Sequence, residues 1–169
     1  MLETLERNGE PMKILVLSDS HGDAKTACLA VEKEQPRMIF FLGDGWRDAG
    51  VIMEQFPDTP LFRVPGNCDY FLPEQNAPEQ LIAVEGFRIL ICHGHTYGVK
   101  QGMWEAEETA KREHLDAFLF GHTHTPLSRR RGKTLYFNPG SIGMSFPPTY
   151  GVLYAERGKT LDGRIYRLK

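Results

Sequence analysis

With 169 residues, of which 41% are hydrophobic and 25% charged, the chain has the size and composition of one globular domain with a substantial core. Its 20 basic and 22 acidic side chains give a formal net charge of -2, which disfavours long nucleic acid and anionic membranes as partners. No apolar run approaches the roughly 20 residues that span a bilayer, and three cysteines without paired spacing argue against a disulfide framework. We therefore expect a cytoplasmic protein and leave open whether it forms a homo-oligomer.

Residues 1–11 are polar and charged and end in Glu10-Pro11, just before the first strong apolar run. They predict an N-terminal tail, followed by a single domain over residues 12–169. In the first half of that domain, apolar runs and helical spacing predict buried strands at 14–17, 38–42 and 61–64, and helices at 24–34 and 48–56. This order is typical of β-α-β units.

The second half of the domain contains hairpins. Strands at 81–84 and 88–92 flank Glu85-Gly86, and strands at 128–131 and 134–137 flank Gly132-Lys133. A helix is predicted at 103–114, and further strands at 117–120, 150–155 and 164–168. β-α-β units followed by antiparallel strands indicate two packed mixed sheets with helices outside.

Chemically active side chains recur where apolar strands end. Five of the six histidines lie in such motifs, and an aspartate and an asparagine occupy the same strand-to-loop position: Asp19 with His21, Asp44, Asn67, His93 with His95, and His122 with His124. Strand ends are rigid, and the loops after them can direct donors towards a shared point. We therefore expect these side chains to gather along one edge of the domain.

Taken singly, each of these histidines would more often be structural than a metal ligand. Together, the five motifs reverse that expectation and predict a metal centre. Imidazoles combined with carboxylates and an amide suit manganese, iron, zinc, nickel or cobalt better than magnesium. Seven ligands are enough for two divalent transition-metal ions if one carboxylate bridges them, and manganese is the ion that we favour.

The motif series resembles that of the calcineurin-like metallophosphoesterases. The resemblance rests on Asp19-x-His21, Gly43-Asp44, Gly66-Asn67, His93 and Gly121-His122-x-His124, in this order. The short chain, the sequence Gly66-Asn67-Cys68-Asp69 and the turn Asn138-Pro139-Gly140-Ser141 are similar to the small bacterial and archaeal phosphodiesterase branch. The resemblance implies an α/β (α+β) fold, a four-layer α/β/β/α sandwich of two mixed sheets flanked by helices.

The resemblance also implies a role for each ligand. Asp44 would bridge two ions, of which the first would be bound by Asp19, His21 and His124, and the second by Asn67, His93 and His122. A hydroxide shared by the ions would attack phosphorus in line while the metals neutralise the developing charge. The implied activity is that of a phosphodiesterase with weaker or absent monoesterase activity. Its substrate would be a small phosphate ester, with a short nucleotide as one option.

One position departs from the family pattern. In many members a histidine follows the asparagine ligand and protonates the leaving group, whereas this chain has Cys68. A thiol with an ordinary pKa of about 8.5 could donate a proton, but two bound cations would favour the thiolate. Asp69 would then organise the loop or carry a proton. His95 is either a substrate-facing or a supporting group, and Arg47 and Lys100 are candidates for holding phosphate.

Two rival functions remain. A binding scaffold with this fold and little catalytic activity is disfavoured because all seven ligands are present. A nuclease acting on long nucleic acid would need a basic track, and Arg129, Arg130 and Arg131 are better explained as a solvated hairpin tip. Serine nucleophiles are disfavoured because no Gly-x-Ser-x-Gly motif is present, and turn hydrogen bonds account better for Ser18 and Ser20.

Overall fold

The computed structural model describes residues 9–169 of the chain. Residues 1–8 lie outside the described part, so the tail predicted at 1–11 stays a prediction, as does the single domain at 12–169. The elements are β1 (Met12–Leu17), α1 (Ala24–Glu34), β2 (Met38–Phe41), α2 (Trp46–Gln55), β3 (Leu61–Arg63), β4 (Glu79–Val84), β5 (Phe87–Cys92), a 3₁₀ turn (His95–Tyr97), α3 (Trp104–Arg112), β6 (Ala117–Leu119), β7 (Leu127–Arg131), β8 (Thr134–Asn138), β9 (Thr149–Ala155) and β10 (Asp162–Arg167).

The strands form two mixed sheets of five strands each. The first has the order β10-β9-β1-β2-β3, with β1, β2 and β3 parallel to one another and β9 antiparallel to β1. The second has the order β4-β5-β6-β8-β7, with β5, β6 and β8 parallel. In each sheet, parallel strands therefore end along a common edge, and the predicted chemical motifs follow these ends.

Three apolar clusters hold the layers together. Alternate residues of β1 point to opposite faces of the first sheet: Ile14 and Val16 pack between the two sheets, whereas Leu15 and Leu17 pack beneath α1 and α2. A third cluster lies between the second sheet and α3. Burial of each large aliphatic side chain contributes about 1.5–3 kcal/mol. The order of layers is thus α/β/β/α, which confirms the predicted sandwich.

The predicted elements are all present, with shifts at some ends. The helix predicted at 48–56 begins two residues earlier, at Trp46, because a carboxylate from a distant loop binds the first amides of α2. The helix predicted at 103–114 ends at Arg112. Within residues 9–169, no helix is long and apolar enough to cross a membrane.

Candidate metal centre

The ends of β1, β2, β3, β5 and β6 bring all seven predicted ligands to one place. Asp19 Oδ1 lies 3.2 Å from His124 Nε2 and 3.7 Å from His21 Nε2. On the neighbouring side, His93 Nε2 lies 3.0 Å from Asn67 Oδ1 and 3.3 Å from Asp44 Oδ2. The ring of His122 lies beside that of His93, with 5.0 Å between centroids. Residues separated by up to about a hundred positions in the chain thus form one compact group of oxygen and nitrogen donors.

The backbone at these positions is unusual. Asp19, His21, Asp44, His122 and His124 have φ angles of 57°, 46°, 54°, 66° and 58°, in the left-handed region that non-glycine residues seldom adopt. Each such conformation costs about 1–3 kcal/mol and persists only where the surroundings enforce it. The loops after the strands therefore turn sharply at the ligands, and this directs their side chains into the centre.

Two glycines allow the loops to approach one another this closely. A Cβ atom at Gly66 would clash with the Asp44 carboxylate, and one at Gly43 would lie 2.7 Å from both the Gly66 nitrogen and His93 Nδ1. Neither position can carry a side chain without displacing a predicted ligand. The glycines beside the motifs thus allow close packing of backbone and ligands.

The Asp19 carboxylate is the strongest indication of a bound cation. It is fully buried, and its Oδ2 accepts hydrogen bonds from Ser18 Oγ at 2.5 Å and from the His122 amide at 3.0 Å. Its Oδ1 has no hydrogen-bond partner in the described part of the chain, although it faces imidazole nitrogens. A buried carboxylate oxygen without a partner is costly unless a cation lies next to it. The donor set thus fits the metal ions that the motifs predict.

Three overlapping groups of donors could hold a cation, because the donor atoms within each group lie within 4.8 Å of one another. Asp19, His21 and His124 form one group, which is the predicted first site. Asp44 belongs to both of the others, once with His93 and Asp19 and once with His21 and Cys68. Asp19, His21 and Asp44 thus each belong to two of the three groups, and the bridging role of Asp44 stays a prediction.

His93 is oriented for ligation through Nε2. Its Nδ1–H donates to the Leu42 carbonyl at 2.7 Å, which leaves Nε2 facing the carboxylates. Burial alone would lower the pKa of His93, but the Asp44 and Asp19 carboxylates outweigh it and raise the pKa. Burial would conversely raise the pKa of Asp44, but His93 and the Cys68 amide hold it well below its usual range.

His122 is neutral at neutral pH. Burial, followed by the positive charges of His93 and Lys100, lowers its pKa to about 4. A neutral imidazole is the form that binds metals. His95 is exposed, with its ring 5.4 Å from that of His93 between centroids, so it faces the mouth of the centre.

Asp69 binds backbone. Its Oδ2 accepts from the amides of Asp44 and Gly66, both at 2.8 Å, and its Oδ1 from those of Gly45 and Trp46, at 3.0 and 2.9 Å. This carboxylate joins the loop after β2 to the loop after β3 and caps the start of α2. Of the two roles predicted for Asp69, the geometry supports organisation of the loop.

Replacement of Asp69 by asparagine should therefore destabilise the fold. An amide has one acceptor oxygen in place of two, and its NH₂ group would face backbone donors. Hydrogen bonds to charged groups contribute about 1.5–3 kcal/mol each, so we expect the free energy of unfolding to fall by about 2–4 kcal/mol. Urea denaturation of Asp69→Asn measures this, with the exposed Asp58→Asn as the matched control. Unchanged stability together with a large loss of turnover would instead indicate a proton carrier.

Cys68 lies at the mouth of the centre. Its amide donates to Asp44 Oδ1 at 2.8 Å, and its exposed thiol lies 3.5 Å from Asn67 Nδ2. Partial burial and the negative charge of Asp44 raise the pKa of this thiol. In the protein without cations the thiol is thus protonated, and the predicted shift towards thiolate depends on bound ions.

The supporting roles of three residues escaped the sequence analysis. Asn138 donates from Nδ2 to the Gly121 carbonyl at 2.9 Å, Ser141 Oγ donates to the Asp19 carbonyl at 2.8 Å, and Asp48 accepts from Ser20 Oγ and the Gly22 amide. These contacts hold the ligand loops in place. The turn after β8 could have suggested Asn138 and Ser141, whereas no sequence signal distinguishes Asp48. Ser18 and Ser20 make loop hydrogen bonds, as predicted.

Comparison with known proteins agrees with this geometry. Residues 12–158 match the calcineurin-like phosphoesterase superfamily domain, and the chain belongs to this family. It is 32% identical to the probable metallophosphoesterase YsnB of Bacillus subtilis over 133 residues, covering 78% of this chain and 75% of that protein. It is 28% identical to the phosphodiesterase YfcE of Escherichia coli K12 over 167 residues, covering 84% and 87%.

The fold has a counterpart among solved structures. A conserved protein of Streptococcus pneumoniae TIGR4, described as a predicted phosphoesterase, superimposes with a TM-score of 0.72. The match covers 92% of this chain and 98% of that chain at 21% identity. Likeness at this identity shows the fold alone. Together with the sequence relatives, it confirms the resemblance to small bacterial phosphoesterases.

Proposed function

We propose that the protein is a metal-dependent phosphodiesterase with a dinuclear centre. The observation that carries this proposal is the buried Asp19 Oδ1, which lacks a hydrogen-bond partner in the described residues yet lies 3.2 Å from His124 Nε2. Asp19 and four other predicted ligands have left-handed backbone conformations. Such strain at a cluster of donors is typical of functional sites. Membership of the phosphoesterase family supports hydrolysis of a phosphate ester as the reaction.

The ligand assignment follows the resemblance. Asp19, His21 and His124 would hold one ion, Asn67, His93 and His122 the other, and Asp44 both. When bound, two divalent ions would supply activation of water and neutralisation of charge on the phosphoryl oxygens. Manganese remains the ion we favour, with iron, zinc, nickel and cobalt as alternatives, because the donor set combines imidazole with carboxylate.

The chain's own residues would then bind and orient the substrate. Arg47 and Lys100 are exposed cations without an ion pair in residues 9–169, and each lies beside the centre: Arg47 in the cleft next to Asp44, and Lys100 close enough to lower the pKa of His122. They would attract the anionic ester locally in a chain of net charge -2. A small phosphate ester in the cytoplasm, a short nucleotide included, is the substrate we propose.

No histidine follows Asn67 to protonate the leaving group, so we expect the protein to favour diesters whose leaving groups depart without a proton. The rival proposal, a catalytically weak scaffold that binds a partner, predicts the same fold without turnover. Metal dependence of diester hydrolysis separates the two proposals.

Removal of metal should abolish hydrolysis. We expect purified protein to hold two transition-metal ions per chain and to hydrolyse bis(4-nitrophenyl) phosphate faster than 4-nitrophenyl phosphate. Chelation should reduce the diester rate to background, and manganese should restore it, because the proposed mechanism needs metal ions to activate water. Elemental analysis and release of nitrophenolate measure both properties. His124→Ala, which removes one predicted ligand, should also lower the metal content, and His114→Ala, which removes an exposed histidine away from the cluster, is its matched control. Full diesterase activity of metal-free protein would refute the mechanism, and metal-loaded protein without turnover would favour the scaffold.

A further inference from the structure

A cleft of about 430 Å³ opens beside the metal centre. Its inner end is formed by His21, Asp44 and Cys68, and its outer walls by Trp46, Tyr70 and Phe71. Pockets for small ligands typically measure about 300–1,000 Å³ and combine apolar walls with a few polar groups. The cleft is therefore large enough for the organic part of a phosphate ester whose phosphorus lies at the centre.

Two of the aromatic side chains in the cleft walls are largely exposed. Tyr70 is 71% and Phe71 96% exposed, although burial of such rings would stabilise the fold. Adjacent exposed aromatic side chains in soluble domains often mark a binding site. Tyr70 and Phe71 follow Cys68 by two and three residues in the chain, and all three line the same cleft. Within residues 9–169 the two rings have no aromatic partner of their own.

Trp46 is held in place from outside the cleft. The Arg63 guanidinium lies 3.9 Å above its ring centroid, and Arg63 Nη1 donates to the Trp46 carbonyl at 2.8 Å. One face of the indole is thus covered and its plane is fixed, as a preorganised stacking surface requires. Arg47, which has no ion pair within residues 9–169, adds a positive charge to the same cleft.

We propose that this cleft is a subsite for a planar aromatic group esterified to the substrate phosphate. The proposal rests on the proposed function for the position of the phosphate. Aromatic side chains beside a fixed indole favour a π-system over an alkyl chain, because stacking adds to simple burial of area. Both an aryl ring and a nucleobase provide such a π-system.

Paired ligands that differ only in the planar group test the subsite. Phenylphosphonate is compared with methylphosphonate, and AMP with ribose 5-phosphate, by calorimetry on manganese-loaded protein at a pH where both members of a pair are dianions. We expect the aromatic member to bind on the order of tenfold more tightly in at least one pair. The preference should fall below about threefold in Phe71→Ala and in Tyr70→Ala/Phe71→Ala. Trp104→Ala, which removes an aromatic side chain 72% exposed and outside the cleft, should leave it unchanged.

The two pairs distinguish the source of the aromatic group. Preference for AMP identifies a nucleobase, and preference for phenylphosphonate alone identifies a simple aryl ester. Equal affinity within both pairs, no binding of any of the four ligands, or a preference that survives in both variants would overturn the subsite. Aromatic preference without diester turnover would refute the proposed function and leave the subsite intact. Diester turnover without aromatic preference would refute the subsite and leave the proposed function intact.

Discussion

Asp44→Asn should empty both metal sites and lower kcat/KM for a nitrophenyl diester by at least about a hundredfold, because metal charge contributes several kcal/mol to the transition state. Asp44 Oδ2 lies 3.3 Å from His93 Nε2 and 3.7 Å from His21 Nε2, and these imidazoles are assigned to different ions. An amide has similar size but no charge to share between two cations. Elemental analysis and kinetics on the same preparations measure occupancy and rate together.

His124→Ala is the informative comparison, because His124 is proposed to hold only the first ion and its loss should remove about one ion per chain. Asp19→Asn is a second comparison: Asp19 Oδ1 also lies 3.9 Å from His93 Nε2, so this carboxylate is the other candidate for a bridge. If Asp19→Asn lost both ions and Asp44→Asn lost only one, Asp19 would be the bridging ligand and Asp44 a ligand to a single ion. Parental occupancy and activity in Asp44→Asn would exclude Asp44 from the bridge.

Cys68→His should raise the turnover of diesters with poor leaving groups relative to nitrophenyl diesters. A departing alkoxide needs a proton in the transition state, and a positioned general acid typically contributes 10²–10⁴-fold. A nitrophenolate needs much less help. The thiol lies at the mouth of the centre, where bound cations would weaken it as an acid by favouring the thiolate. We therefore expect the rate of the parent protein to depend steeply on the pKa of the leaving group.

Cys68→Ala tests whether the thiol itself takes part in catalysis. We expect that it does not, so this variant should keep nearly the full rate on the nitrophenyl diester. Values of kcat/KM across a series of leaving groups, with metal content determined for parent, Cys68→Ala and Cys68→His, separate the cases. Cys28 and Cys92 are both buried in the core, so neither is a matched control for the exposed Cys68. Collapse of the diester rate in Cys68→Ala at unchanged occupancy would make the thiol catalytic. Loss of an ion would make it a ligand with His21 and Asp44.

Most of the fold could be predicted from local patterns. The apolar runs that became β1, β2 and β6 are continuous because parallel strands in the middle of a sandwich are buried on both faces, as the alternation of Ile14 and Leu15 between two cores illustrates. The hairpin at Glu85-Gly86 also follows from turn chemistry. Helix ends were less predictable: α2 starts at Trp46 because Asp69, more than twenty residues further along the chain, accepts its first amides.

The sequence by itself determined which side chains reach the centre, since each ligand follows a strand and parallel strands end at a shared edge. It did not determine what surrounds them. The hydrogen bonds of Asp69 and the loop contacts of Ser141 and Asp48 join segments far apart in the chain, so no local pattern encodes them. The cleft walled by Trp46 and Phe71 likewise exists only after two loops meet. Long-range packing decided these features, because distances between loops depend on how the sheets and helices stack.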